Sequence, residues 1–148
     1  MATTFYRRKL PHIRVDGAVY FVTWRVRVGQ ANLSENERDW VVAAIRHFDT
    51  VRYDLHAFVV MNDHVHVLLR PLHVHLLEQI VQSWKSFTAN RMQRENGRRG
   101  AIWQDEYFDR AVRDEAEYDQ KRDYIVYNPQ KRWPEMESYR WCWAIGID

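Results

Sequence analysis

Leu55-His56-Ala57-Phe58-Val59-Val60-Met61 and His64-Val65-His66-Val67-Leu68-Leu69-Arg70 are two apolar runs joined by Asn62-Asp63. Asparagine and aspartate tolerate the positive φ angles of a two-residue turn, so the stretch reads as a β-hairpin. That turn sets Met61 opposite His64 and Val59 opposite His66, all on one face, while Phe58, Val60, Val65, Val67 and Leu69 fill the other. With both faces apolar, the hairpin belongs in the middle of a sheet covered on two sides. On a strand His64 and His66 point together and can hold one metal ion; on a helix they would diverge by about 200°. The spacing alone fits a packed histidine pair equally well.

Outward from the hairpin, Tyr20, Val22, Trp24, Val26 and Val28 alternate with Thr23, Arg25 and Arg27, the pattern of a half-covered strand over Val19 to Val28. Ser34 and Glu37 form a capping box, and Trp40, Val41, Ala44, Ile45 and Phe48 repeat at helical spacing after it. Beyond Pro71, a second helix carries Leu76, Leu77, Ile80, Val81, Trp84, Phe87 and Thr88 and ends before Asn96-Gly97. A short strand falls around Tyr107 to Arg113. Asp114 and Glu117 cap a third helix through Tyr118, Tyr124 and Ile125, which Pro129 is expected to stop. The tail from Trp133 has no clear periodicity. The order strand, helix, two strands, helix, strand, helix gives an α+β fold: a ferredoxin-like β-α-β-β-α-β core with an antiparallel sheet plus an extra carboxy-terminal helix. Two helices cover one face of the sheet, leaving the third free to lie over the face where His64 and His66 point.

The 148 residues are expected to form a single domain, with a basic arm over 1–15 and an aromatic tail over 134–148. A hydrophobic share of 46% argues for a folded globule rather than a disordered chain. The single cysteine, Cys142, rules out an internal disulfide, and no segment reaches signal-peptide or membrane-spanning length, so a cytoplasmic protein is expected. The net charge of +2 is small but unevenly spread, with basic clusters among seven tryptophans and eight tyrosines. Basic and aromatic surfaces together suit a nucleic acid. Arg7, Arg8, Lys85, Arg91, Arg98, Arg99, Lys131 and Arg132 are candidates for phosphate contacts, and Trp103 for stacking on a base.

The third helix supplies a complement to the histidines. Tyr124 and Asn128, four apart, share a helical flank and come within reach of a metal held by His64 and His66. Two imidazoles and an amide oxygen leave positions open on Mg²⁺ or Mn²⁺ for phosphate oxygens. A tyrosine beside such an ion can attack a phosphodiester, giving a 5′-phosphotyrosine and a free 3′ hydroxyl. Tyr118 and Tyr127 compete with Tyr124 for this role. Gln130, Asp123 or water compete with Asn128, because a residue before proline is pushed out of helical geometry. His73-Val74-His75, just after Pro71, repeats the histidine spacing but reads as a surface loop.

Met61-Asn62-Asp63-His64-Val65-His66-Val67-Leu68-Leu69 followed by Asp123-Tyr124-Ile125-Val126-Tyr127-Asn128-Pro129 resembles the HUH single-tyrosine transposases, and within them the REP-associated branch of the IS200-like enzymes. Tyr20-Phe21-Val22-Thr23, Ile102-Trp103-Gln104 and Val112-Arg113-Asp114-Glu115 add to the likeness, which spans residues 5 to 133. The resemblance implies a ferredoxin-like or RRM-like fold and a divalent ion, Mg²⁺ or Mn²⁺. It also implies single-stranded DNA substrates that form REP-like hairpins, and cleavage and rejoining through tyrosyl-DNA. It makes His64 and His66 the metal-binding histidines, Tyr124 the nucleophile and Asn128 the third ligand, with Tyr6-Arg7-Arg8 near the DNA. Members of such families work as monomers or homodimers. The alternatives are a replication-initiator or relaxase-type nickase with the same chemistry, and a non-catalytic RRM-like nucleic-acid-binding module.

Overall fold

The computed structural model describes residues 14–146. Tyr6, Arg7 and Arg8 lie outside the described residues. The elements run β1 (Tyr20–Arg25), α1 (Glu35–His47), β2 (Tyr53–Val60), β3 (His64–Pro71), α2 (Leu77–Asn96), β4 (Phe108–Ala111), α3 (Glu115–Arg132) and β5 (Cys142–Ala144). The sheet order is β4-β1-β3-β2-β5 and every pairing is antiparallel. The expected ferredoxin-like core is therefore present.

The hairpin holds the register its sequence implies: Val59 pairs with His66, Val60 with Val65, and the Met61 amide donates to the His64 carbonyl at 2.8 Å. Its two faces enter different cores. Phe58, Val60, Val65, Val67 and Leu69 pack with Val22 and Trp24 of β1 beneath α1 and α2. Ala57, Val59, Met61 and Leu68 pack with Phe21 and with Ile125 of α3. A β-bulge at His56 shifts the register, so that Leu55 joins the first core and Ala57 the second.

Both caps form as their residues imply. Ser34 and Glu37 close the box at α1, and the Asp114 side chain accepts from the Glu117 amide at 2.8 Å at α3. Glu37 is buried and also pairs with Arg98 at 2.7 Å, tying the loop after α2 to the start of α1.

Three expectations need correction. β1 spans only Tyr20–Arg25 and is covered on both faces, since Phe21 and Thr23 are buried; Val28 lies beyond it and is 89% exposed. The tail is not irregular throughout: Cys142–Ala144 adds a fifth strand to the outer edge of β2. That strand is too short to show a period, and distant contacts seat it, with Tyr139 Oη donating to the Val60 carbonyl at 2.6 Å and Trp141 Nε1 to Asp39 at 2.8 Å. Finally, Pro129 does not end α3, which runs on to Arg132. Proline lacks the N–H that would meet the Ile125 carbonyl. Cys142 Sγ approaches that carbonyl instead, at 3.7 Å.

Candidate active site

β3 is central, and its His64 and His66 lie on the face of the sheet that α3 covers. Their ring centroids are 4.7 Å apart, and His66 is 3% exposed. Each ring is held from its Nδ1 side. Thr23 Oγ1, directly opposite on β1, lies 2.7 Å from His66 Nδ1, and Asp63 Oδ1 lies 2.7 Å from His64 Nδ1. Fixing Nδ1 this way sets the tautomer and turns Nε2 towards a ligand. His66 Nε2 is buried and has no hydrogen-bond partner. A buried, unpartnered ring nitrogen is costly unless something binds it.

Both histidines are held neutral. Burial lowers the proton affinity of His64, against the pull of Asp63, and the charges of Arg25 and Arg132 lower it further. His66 is pushed well below the usual imidazole range by burial, then by His64, Arg25 and Lys121. Neutral imidazoles are the form that ligates metals. Among the described residues no third histidine, cysteine or carboxylate completes a cluster with them. A divalent ion here would need neutral oxygen donors or the substrate's own phosphate.

α3 brings Tyr124 over this pair. Its ring centroid is 5.2 Å from His66, edge-on, and 6.0 Å from Phe21, which itself stacks on His66 at 5.3 Å. Tyr124 stays 48% exposed, so its hydroxyl remains open to a large substrate. Tyr118 is taken up elsewhere, its hydroxyl 2.6 Å from His56 Nδ1. Tyr127 is exposed and lines a cleft with residues 136–144. Asn128 follows Tyr124 by one turn and is half-buried; because the helix continues through Pro129, it keeps the helical placement that the proline threatened. Gln130 lines the same cleft as Tyr127, and Asp123 lies 3.5 Å from Arg122, so neither shares the flank of Tyr124.

The proposed DNA contacts divide sharply. Lys131 and Arg132 end α3 exposed, and the charge of Arg132 is felt at His64. Lys85, Arg91 and Trp103 do not belong to the site. Lys85 is buried, its ammonium donating to the Gln104 and Asp105 carbonyls at 2.7 and 3.0 Å. Arg91 lies over the Trp40 ring at 4.4 Å and pairs with Glu95, on the α1–α2 side of the sheet. Trp103 is a core residue, 4% exposed, with Nε1 donating to Thr88 Oγ1 at 3.0 Å. Arg98 is likewise committed to Glu37. Sequence reading passed over Thr23, Arg25, Asp63 and Lys121. The first two occupy the polar phase of β1, and Lys121 stands three residues before Tyr124.

This arrangement, a ferredoxin-like sheet with a histidine pair on its central strand and a tyrosine helix lying over it, defines a class in which one face of the sheet is an open, cation-edged site. The chain belongs to the IS200-like transposases, whose family profile matches residues 18–128. It is similar to the solved structure of a REP-associated tyrosine transposase bound to a REP hairpin, at 21% identity and a TM-score of 0.71, over 86% of this chain and 75% of that one. It is also similar to a putative transposase from Deinococcus radiodurans R1, at 25% identity and a TM-score of 0.55, over 79% of this chain and 95% of that one. Against proteins of curated function the sequence finds no match. Among the described residues no helix is long and apolar enough to cross a membrane.

Proposed function

We propose that this transposase is a metal-dependent single-stranded DNA endonuclease and strand transferase that cleaves beside DNA hairpins with Tyr124 as its nucleophile. The observation that carries the reading is the Tyr124 ring lying 5.2 Å from His66, whose buried Nε2 has no protein partner. His64 and His66 would hold Mg²⁺ or Mn²⁺ through Nε2, with Asn128 as the third protein ligand. Bound there, the ion polarises the scissile phosphate and stabilises the charge on the departing oxygen.

The protein's own part is positioning and bond exchange. Thr23 and Asp63 hold the two rings, and the rigid sheet fixes them relative to α3. Tyr124 Oη bonds to phosphorus as the bond to the 3′ oxygen breaks; the phenolic proton passes to water, and the 3′ oxygen gains one to become a hydroxyl. The 5′-phosphotyrosine keeps the energy of the phosphodiester. A second 3′ hydroxyl therefore rejoins the strand by reversal, without a nucleotide cofactor. The hairpin preference draws on the REP hairpin in the similar structure.

The test is incubation with a single strand bearing a hairpin and a 5′-labelled or 3′-labelled flank, in Mn²⁺, followed by denaturing electrophoresis. A covalent adduct should form on the 5′-phosphate side, vanish with chelator and vanish in Tyr124→Phe. An adduct that persists in Tyr124→Phe overturns the nucleophile. Equal binding with and without chelator, and no cleavage, would leave only a nucleic-acid-binding module.

A further inference from the structure

Three groups gather round one aromatic ring. Phe21 stacks on His66 at 5.3 Å and receives the edge of Tyr124 at 6.0 Å, and Lys121 places its ammonium 5.1 Å from the same ring. Lys121 and Tyr124 are three apart on α3, so they lie on adjoining positions of one flank. Lys121 makes no ion pair with a carboxylate among the described residues: its acidic neighbours Asp119 and Asp123 are both drawn to Arg122. A lysine held over an aromatic face is attracted to it, while its four-carbon stem can still extend. It is one of the charges felt by the buried ring of His66.

We propose that Lys121 is a second catalytic residue of this site: its ammonium contacts a non-bridging oxygen of the scissile phosphate while Tyr124 attacks. The proposal rests on the reading of Tyr124 as the nucleophile. Phosphoryl transfer needs positive charge placed where the equatorial oxygens gather charge. Among the described residues no carboxylate completes a cluster with the histidine pair, so a cation on the tyrosine's own helix supplies charge without competing for the ion. Phe21 then has a definite use. Its ring is the one surface that the ammonium, the tyrosine and His66 share, so that a phosphate seated between the tyrosine and the histidines comes within reach of the extended lysine.

The experiment measures adduct formation under single turnover, with Mn²⁺ and saturating hairpin-bearing single strand, in wild type, Lys121→Gln, Lys121→Arg and Tyr124→Phe. Losing one preorganised donor at a transition state lowers the rate about 10²-fold. Lys121→Gln should show that loss in the rate constant, with DNA affinity changed less than about threefold, and Lys121→Arg should regain most of it because the charge is kept. The second arm replaces the scissile phosphate by each methylphosphonate diastereomer, which removes one charged non-bridging oxygen. For one diastereomer, wild type and Lys121→Gln should react at the same rate, an equality that a merely structural lysine would not produce. The proposal is overturned if Lys121→Gln keeps the wild-type rate, if the whole loss is in DNA affinity, or if the gap between the two proteins survives in both diastereomers. Failure of the underlying reading looks different, because then wild type forms no adduct or Tyr124→Phe still does.

Discussion

Replacing Thr23 by valine tests whether the histidine pair is a metal site rather than a packed pair. Thr23 is 7% exposed and directly opposite His66, with Oγ1 2.7 Å from His66 Nδ1. Ligation through Nε2 requires the neutral ring to carry its proton on Nδ1, so that N–H donates to the threonine. Valine keeps the shape of the side chain and deletes the acceptor. The bare protein then loses about 1–3 kcal/mol, the cost of a buried donor left unmade. The specific effect is on the ion. Removing the group that orients a ligating histidine lowers metal affinity about 10–100-fold.

At free Mn²⁺ ten times the dissociation constant, binding stabilises the wild type by about 1.4 kcal/mol. For a chain of this size that is a rise in Tm of about 3–6 °C. The same Mn²⁺ concentration stabilises Thr23→Val by at most about 0.4 kcal/mol, a rise under about 2 °C. Calorimetry of both proteins in chelator and in graded Mn²⁺ separates the two effects, because the hydrogen-bond loss shows in chelator and the affinity loss only in the metal-induced increment. An increment in Thr23→Val equal to that of wild type would refute the orienting role of Thr23. An increment that survives His66→Ala would refute the site.

Two further outcomes follow from other parts of the structure. Glu37 is buried, yet hydrogen bonds from Arg98, Asn96 and the Ser34 amide overcome that burial and hold its carboxyl at about 2 instead of 4.5. A depressed carboxylate contributes stability above its unfolded value and loses it as pH falls, so about 3 kcal/mol should disappear between pH 4.5 and 2; urea midpoints across that range should show it, and Glu37→Gln should flatten this part of the profile. Arg25 and Arg132 border the histidines without a carboxylate partner among the described residues, whereas Arg91 lies over Trp40 on the opposite face. Arg25→Gln and Arg132→Gln should each reduce the salt dependence of single-strand binding by about 0.7 in log–log slope, and Arg91→Gln should leave it unchanged; a slope that moves with Arg91 instead would put the DNA on the wrong face.

What the sequence disclosed and what it hid divide along physical lines. The hairpin was legible because a local turn and a period of two set its register, and both faces being apolar fixed its place in the sheet. His64 and His66 inherited a direction from that register. The basic residues were not legible as a class, since a lysine's charge says nothing of where its helix turns it. Lys85 is the instructive case: it stands four after Val81 and three before Thr88, inside the stripe that α2 buries, so its helical position outweighed its charge. Trp103 lies in a loop with no period, and its burial depends on Trp24 and Thr88, which are remote in sequence. Where α3 continues through Pro129, Cys142, a residue of another strand, brings its Sγ to 3.7 Å from the freed carbonyl. Local rules see the missing donor but not its distant replacement.

The same rules, applied symmetrically, would have found more of the site. Reading forward from Tyr124 by one turn gave Asn128; reading back by three gives Lys121, and one turn past Asn128 gives Arg132. At about 100° per residue these four fall within an arc of about 80° on α3. The flank that lies over the histidines thus carries Tyr124, one amide and two cations. Asp119, Glu115 and Asp123 sit off that arc, and Glu117, the one acid of this helix within it, lies one turn before Lys121 and is paired with Arg110. A flank whose one carboxylate is already paired, and which sets two cations beside Tyr124 and the imidazoles, suits a phosphodiester, and it is a pattern that a core-packing tyrosine would have no reason to share.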